Sequence, residues 1–364
     1  MGFQDFYGNE EVVTRVREML ARRRLPHAII LSGPPGAGKY TLAQMMAKAM
    51  NCLAPPPGGL ADFCGRCANC IRIAQADDLA ARFAEAVEAR EALRETDRKD
   101  TRIFVQTHPD VLIIPPDPPQ MMIKVDQVRR VTETIYFRPG EGRERVYIFT
   151  DGAFLKEAAN ALLKVLEEPP EFATLLLLVE NPGQLLPTLR SRSILLNLAA
   201  LAPAAIEEYL AGRRPRWSAG QRALVARLSG GAVGAALAFD LERYSAARQD
   251  ALTLLTTAAR SEEHSALFKV TEGYRSGAEG KEKTDALLRA FCSLLEDLLF
   301  LKSGTPELVR NRDLAAALAR LAEAVDFPWI AAAALRADEV QAGLRRNLLR
   351  SLSLDALVAA LERG

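Results

Sequence analysis

A mostly parallel α/β sheet with helices on both faces, followed by an all-helical remainder, is the architecture this sequence predicts. Three observations carry that reading. Apolar strand candidates alternate with amphipathic helices through the first 200 residues. The first strand opens into a glycine-rich loop and then a helix, AIILSGPPGAGKYTLA at 28–43. From about Leu201 the strand patterns stop, and Ala/Leu-rich amphipathic helices follow.

Taken in order, residues 9–24 read as a helix with Val12, Val13, Val16, Met19 and Leu20 on its apolar stripe and Arg22–Arg24 at its end. His27 precedes the strand Ile29–Leu31; with no nucleophile beside it, it reads as structural. The loop from Gly33 to Lys39 meets the needs of a bound phosphate. Gly33, Gly36 and Gly38 leave backbone N–H groups bare, the helix N-terminus adds its dipole, and Lys39 adds a point charge. One position departs from that pattern. A magnesium-binding hydroxyl belongs directly after the lysine, yet Tyr40 stands there, and Thr41 comes one residue late, turned about 100° around the helix. ATP or ADP binding is expected; hydrolysis is in doubt.

Cys52 follows that helix, and Cys64, Cys67 and Cys70 form two overlapping C-x-x-C turns. Three thiolates within reach of one ion, with Cys52 as fourth, make a closed tetrahedral zinc site whose role is structural. An iron–sulfur run would place a cysteine four residues after Cys70, where Ala74 stands, and unrelated free thiols are the remaining alternative. Residues 75–103 are charged and alanine-rich, the pattern of one long helix or a helical hairpin on the surface.

Strand signals return at 110–114, a helix follows from Val125 to about Tyr136, and Arg145–Thr150 is a further short strand ending in Asp151. A carboxylate there would hold the magnesium shell, but the next residue, where a glutamate would orient the attacking water, is Gly152. A helix over 156–168, a strand over 174–179 and the segment LLPTLRSRS at 185–193 complete the α/β part. Helical breaks are expected near 213–215, 230–231, 277–280, 303–304 and 327–328. Domains are expected at 1–200, 201–240 and 241–364.

The chain has 364 residues, 49% apolar and 26% charged, which fits two or three soluble globular domains. Its net charge of +1 gives no overall pull toward nucleic acid or membrane, so a DNA contact must come from a local patch such as Arg129 and Arg130 or from partner chains. No apolar signal region opens the sequence, Phe6 breaks a myristoylation pattern, and no apolar run is long enough to span a bilayer. A cytoplasmic protein is expected.

Together, LPHAIILSGPPGAGK at 25–39, the four cysteines, HPDVLII at 108–114, IKVDQVRRV at 123–131, NALLKVLEEPP at 160–170 and LLPTLRSRS resemble bacterial DNA polymerase III clamp-loader subunits of the AAA+ class. GLRRNLLRSLSLDALVAAL at 343–361 resembles the family's C-terminal collar helix more weakly. The resemblance implies an α/β P-loop AAA+ domain, a small helical lid and an all-α collar. It implies a hetero-oligomeric ring with gamma/tau and delta subunits, acting on a sliding clamp and primer-template DNA as part of a polymerase holoenzyme. Arg192 matches the family's arginine finger, which reaches a neighbouring subunit's ATP, although Ser193 stands where the family has cysteine. Tyr40, Gly152 and Ala235, the last near the expected ATP-sensing arginine, favour a non-hydrolysing stator; a hydrolysing motor subunit or an unrelated P-loop kinase are the rival readings.

Overall fold

The computed structural model describes residues 2–260, 264–275, 280–344 and 349–362. The chain forms two compact units, one of Met1–Ala202 with Gly230–Leu237, the other of Pro203–Ser229 with Ala238–Gly364.

The first unit begins with α1 (Glu10–Ala21), β1 (Ala28–Ser32), α2 (Lys39–Asn51), α3 (Ala68–Ala74), α4 (Leu79–Glu91) and α5 (Glu95–Asp100). It continues with β2 (Val105–His108), β3 (Val111–Ile114), α6 (Val125–Thr134), β4 (Arg145–Phe149), α7 (Lys156–Glu167), β5 (Ala173–Val179), α8 (Pro187–Arg190) and β6 (Ile194–Asn197). After α9 (Pro203–Arg213) and α10 (Ala219–Leu228), which belong to the second unit, the chain returns to the first for α11 (Val233–Leu237).

The six strands run in the order β2-β3-β4-β5-β1-β6; β2 pairs antiparallel with β3 and the other neighbours pair parallel. Side chains alternate across the sheet. Ile29 and Leu31 of β1 therefore join the core beneath α1 and α2, while Ala28 and Ile30 join the core beneath α6 and α7. The expected two-faced α/β sheet is present, with strands β2 and β6 in addition to the four named from the sequence. Both are four-residue edge strands, too short for a periodic signal, and a short edge is how sheets avoid further pairing.

The 75–103 segment is two helices, α4 and the short α5, rather than one long rod. It is also less free than its charge suggests. Arg90 is buried, and its Nη1 lies 3.1 Å from Oδ1 of Asp117, a fully buried carboxylate that also faces Nζ of Lys124 at 2.9 Å. Removing either cation would leave a buried charge underpaired.

The second unit is helical throughout its described residues: α9, α10, α12 (Leu241–Arg260), α13 (Ser265–Glu272), α14 (Gly280–Lys302), α15 (Ala315–Ala324), α16 (Phe327–Leu344) and α17 (Arg350–Glu362). Leu254, Leu255, Phe291, Leu294, Leu298, Leu354 and Val358 form its apolar core. The expected break near 327–328 is present between α15 and α16, and Phe327-Pro328 opens α16, because proline in a first turn gives up an N–H that has no partner anyway. The expected break at 277–280 falls mostly outside the described residues, as does the 345–348 part of the 343–361 match. Among the described residues no helix is long and apolar enough to cross a membrane.

Candidate functional site

The phosphate loop lies between β1 and α2, where the sequence expects it. Gly36 has φ +80°, and a Cβ on it would stand 2.6 Å from the backbone nitrogen of Ala235, so this turn excludes side chains. The amide of Gly234 donates to the Gly36 carbonyl at 2.8 Å, which sets α11, with Ala235, directly against the loop. Gly38 (φ +91°) is the N-cap of α2. Lys39 Nζ donates to the carbonyls of Gly33 (2.6 Å) and Pro34 (2.9 Å). Burial lowers its pKa, and the charges of Glu180 and Asp151 work against that shift. Asp151 thus lies within electrostatic reach of the lysine, its Oδ1 accepting from the Ala153 amide at 2.8 Å.

Tyr40 does not face the loop opening with its hydroxyl. That group donates to the carbonyl of Ala76 at 2.6 Å and accepts from Gln44 Nε2 at 2.8 Å, and burial raises its pKa. Thr41 is exposed on the first turn of α2. Position 152 is also filled: a Cβ on Gly152 would meet Val179 Cγ1 at 2.8 Å and Gln184 Cβ at 3.2 Å.

The four cysteines converge. Cys52 caps α2, Cys64 and Cys67 bracket a turn, Cys70 lies in α3, and their sulfurs all fall within 4.8 Å of one another. Four thiolates around tetrahedral zinc stand about 3.8 Å apart, given Zn–S bonds of about 2.3 Å, so the donor set fits that ion. Amides already point at the sulfurs, Cys64 N–H at Cys52 Sγ and Cys67 N–H at Cys64 Sγ, each at 3.3 Å. Burial opposes ionisation of Cys67, yet the amides of Cys70 and Leu53 and the neighbouring thiols bring it down to about 6. Cys64 is lowered as well, chiefly by the Arg66 amide. Burial raises Cys52 and Cys70, the two deepest ligands.

Arg192 follows α8 on the surface. Its Nη2 lies 3.2 Å from Glu167 Oε1 at the end of α7, and its Nη1 donates to the Thr188 carbonyl at 3.3 Å. Arg129 pairs with Asp126 at 3.1 Å on the exposed face of α6.

A buried polar group not anticipated from the sequence holds these parts in place. The Asp110 carboxylate accepts the amides of Gly140 (2.8 Å), Glu141 (2.9 Å) and Gly142 (2.7 Å), and Asn51 Oδ1 accepts those of Arg143 (2.8 Å) and Glu144 (3.0 Å). Arg143 then donates to the carbonyls of Met50 (3.1 Å) and Cys52 (2.9 Å), closing the C-terminus of α2 beside the cysteines. Asp110 lay inside the motif HPDVLII, and the glycine-rich stretch before β4 was the available signal.

The family described as "DNA polymerase III, delta subunit" matches residues 8–86 and 75–202. Over 210 residues the chain is 31% identical to DNA polymerase III subunit tau/gamma of Haemophilus influenzae, covering 57% of this chain and 25% of that protein. Over 211 residues it is 31% identical to DNA polymerase III subunit delta' of Pseudomonas aeruginosa, covering 58% of this chain and 54% of that protein. The chain thus spans from a quarter to about half the length of these curated relatives. A solved structure of a DNA polymerase III gamma subunit-related protein from Thermotoga maritima aligns over 96% of this chain and 98% of that chain, with 16% identity and a TM-score of 0.38. Because the matched segments take in the phosphate loop, the cysteine cluster and Arg192, and span more than half of the sequence, the chain belongs to the DNA polymerase III delta-subunit family.

Proposed function

We propose that this protein is a delta-prime-type stator of the DNA polymerase III clamp loader. In this reading residues 1–200 are its AAA+ domain, 201–240 its lid and 241–364 its collar. It stands in a ring with gamma/tau and delta subunits, holds ATP or ADP without productive turnover, carries a structural zinc, and lends Arg192 to the ATP site of a neighbour. The ring opens a sliding clamp and sets it on primed DNA.

The packing at Gly152 is the observation that carries the reading. Val179 and Gln184 occupy the space a water-orienting glutamate would need. Tyr40 supports it, since its hydroxyl is bound to Ala76. Loss of an oriented water and a metal anchor removes transition-state stabilisation on the order of 10³-fold in rate. Arg192 is exposed, and among the described residues its guanidinium meets a surface carboxylate and one carbonyl, contacts that a stronger anionic partner can replace.

Reconstitution with a motor subunit, a delta subunit, clamp and primed DNA tests this directly. Arg192→Ala should lower ATP turnover without loss of assembly, and unchanged turnover would remove Arg192 from this role. The second reading, a hydrolysing gamma/tau-type subunit, is favoured by the tau/gamma relatives. Brisk magnesium-dependent hydrolysis by the purified chain alone would establish it instead.

A further inference from the structure

One helix joins the two candidate sites. α2 carries the phosphate loop at its start and Cys52 at its end, about 20 Å apart at 1.5 Å per residue. Between them Tyr40, Gln44 and Lys48 recur every fourth residue on one face. Tyr40 and Lys48 are tied to the segment that leaves the cysteine cluster, and Gln44 joins them through the Tyr40 hydroxyl.

Tyr40 donates to Ala76, Gln44 donates to Tyr40, and the Lys48 ammonium bonds both oxygens of Asp77 at 2.7 and 2.6 Å. Lys48 also lies 5.8 Å from the ring centre of Phe63, the residue before Cys64. Ala76 and Asp77 extend the turn of α3, their amides donating to the carbonyls of Ile73 and Ala74, so they move with Cys70. A second connection runs through the N-terminal segment. Phe3 packs edge-on against Phe63, with centroids 5.8 Å apart, and a Cβ on Gly38 of the loop would stand 2.9 Å from the ring of Phe6.

We propose that the cysteine module braces the phosphate loop through this face of α2, so that metal occupancy at one end of the helix sets order and ligand affinity at the other. Tyr40 is then a positioning residue: the side chain that replaces the magnesium-binding hydroxyl has become a strut. Lys48 is buried, and freeing Asp77 would leave its ammonium unpaired, so the brace engages or releases as a unit. The coupling is reciprocal, so a ligand on the loop tightens the metal by the same factor. The inference rests on reading the cysteines as a zinc site, and its affinity arm rests on the loop holding nucleotide.

Hydrogen exchange of the full chain, zinc-loaded and chelator-stripped, tests it against the double variant Tyr40→Phe/Lys48→Met. In the wild type, stripping should speed exchange of residues 33–44 by about fivefold, the low end of ordinary coupling. The zinc-loaded double variant should show the same acceleration, although its cysteines are intact. Wild-type exchange over 33–44 in that variant would overturn the brace, even if stripping proves to melt the whole chain. So would faster exchange on stripping confined to 53–70, or failure of the purified protein to hold zinc. A titration with fluorescent ADP separates the two premises. A roughly fivefold weaker affinity after stripping supports the brace, whereas no binding in any state removes nucleotide from the loop and leaves the exchange comparison to decide.

Discussion

Gly152 and Val179 pack so closely that a Cβ on the glycine would stand 2.8 Å from Cγ1 of the valine. The position is closed by neighbours, which makes the missing glutamate more than a single substitution. Gly152→Glu should therefore fail to confer ATP hydrolysis and should destabilise the fold by about 1–3 kcal/mol through overpacking. Denaturant unfolding and a phosphate-release assay check both parts; hydrolysis gained at unchanged stability would contradict the packing argument.

Arg192 and Glu167 form an exposed pair, so its loss should cost little locally. Arg192→Ala is expected to change unfolding free energy by less than about 1 kcal/mol, yet to reduce turnover of the reconstituted assembly by roughly 10³-fold if the arginine acts in a neighbouring site. Arg192→Lys should rescue poorly, because an ammonium lacks the planar fork that grips phosphate oxygens. Equal turnover for alanine, lysine and wild type would end the assignment.

His108 gives the fold a pH dependence. Burial lowers its pKa, and its Nδ1 accepts the Asp110 amide at 3.1 Å, an acceptor role that only the neutral ring can fill. The unfolded chain then binds this proton more readily than the folded one. Stability is complete above the unfolded value of about 6.5 and falls as pH drops below it. Melting temperature measured from pH 7.5 to 5.5 should decline in the wild type and decline less in His108→Gln.

Asp110 adds a second, more acidic step. Burial raises its pKa, but the amides of Gly140, Glu141 and Gly142 overcome that and hold it below the usual value. Its contribution is present above about pH 3.9 and lost as pH falls through the lower folded value. Asp110→Asn should lose stability at pH 7 and flatten the acid end of the unfolding curve. An acid limb identical to wild type would mean these amides find other partners.

Metal analysis and thermal melting together examine the cysteines. Wild-type protein should carry about one zinc per chain, and Cys67→Ser should lose it along with several kcal/mol of stability. Unaltered metal content and melting temperature in that variant would remove Cys67 from the ligand set.

The glycine loop, the cysteine spacing and the apolar strands β1, β3, β4 and β5 were legible because each is a local pattern: a turn needing bare amides, ligands a few residues apart, side chains buried on both faces. Edge strands β2 and β6 were not, since four residues carry too little periodicity. Arg90 read as a solvated charge because its partner, Asp117, lies 27 residues away.

By itself the sequence determined which chemical groups this protein owns: a phosphate loop, four thiols, an arginine after α8, and no glutamate at 152. Only the tertiary structure decided how those groups are used. It turned Tyr40 toward Ala76, closed position 152 with Val179 and Gln184, and set Lys48 between Phe63 and Asp77. Side-chain identity is written residue by residue, whereas hydrogen-bond partners and free volume depend on distant segments brought together by packing.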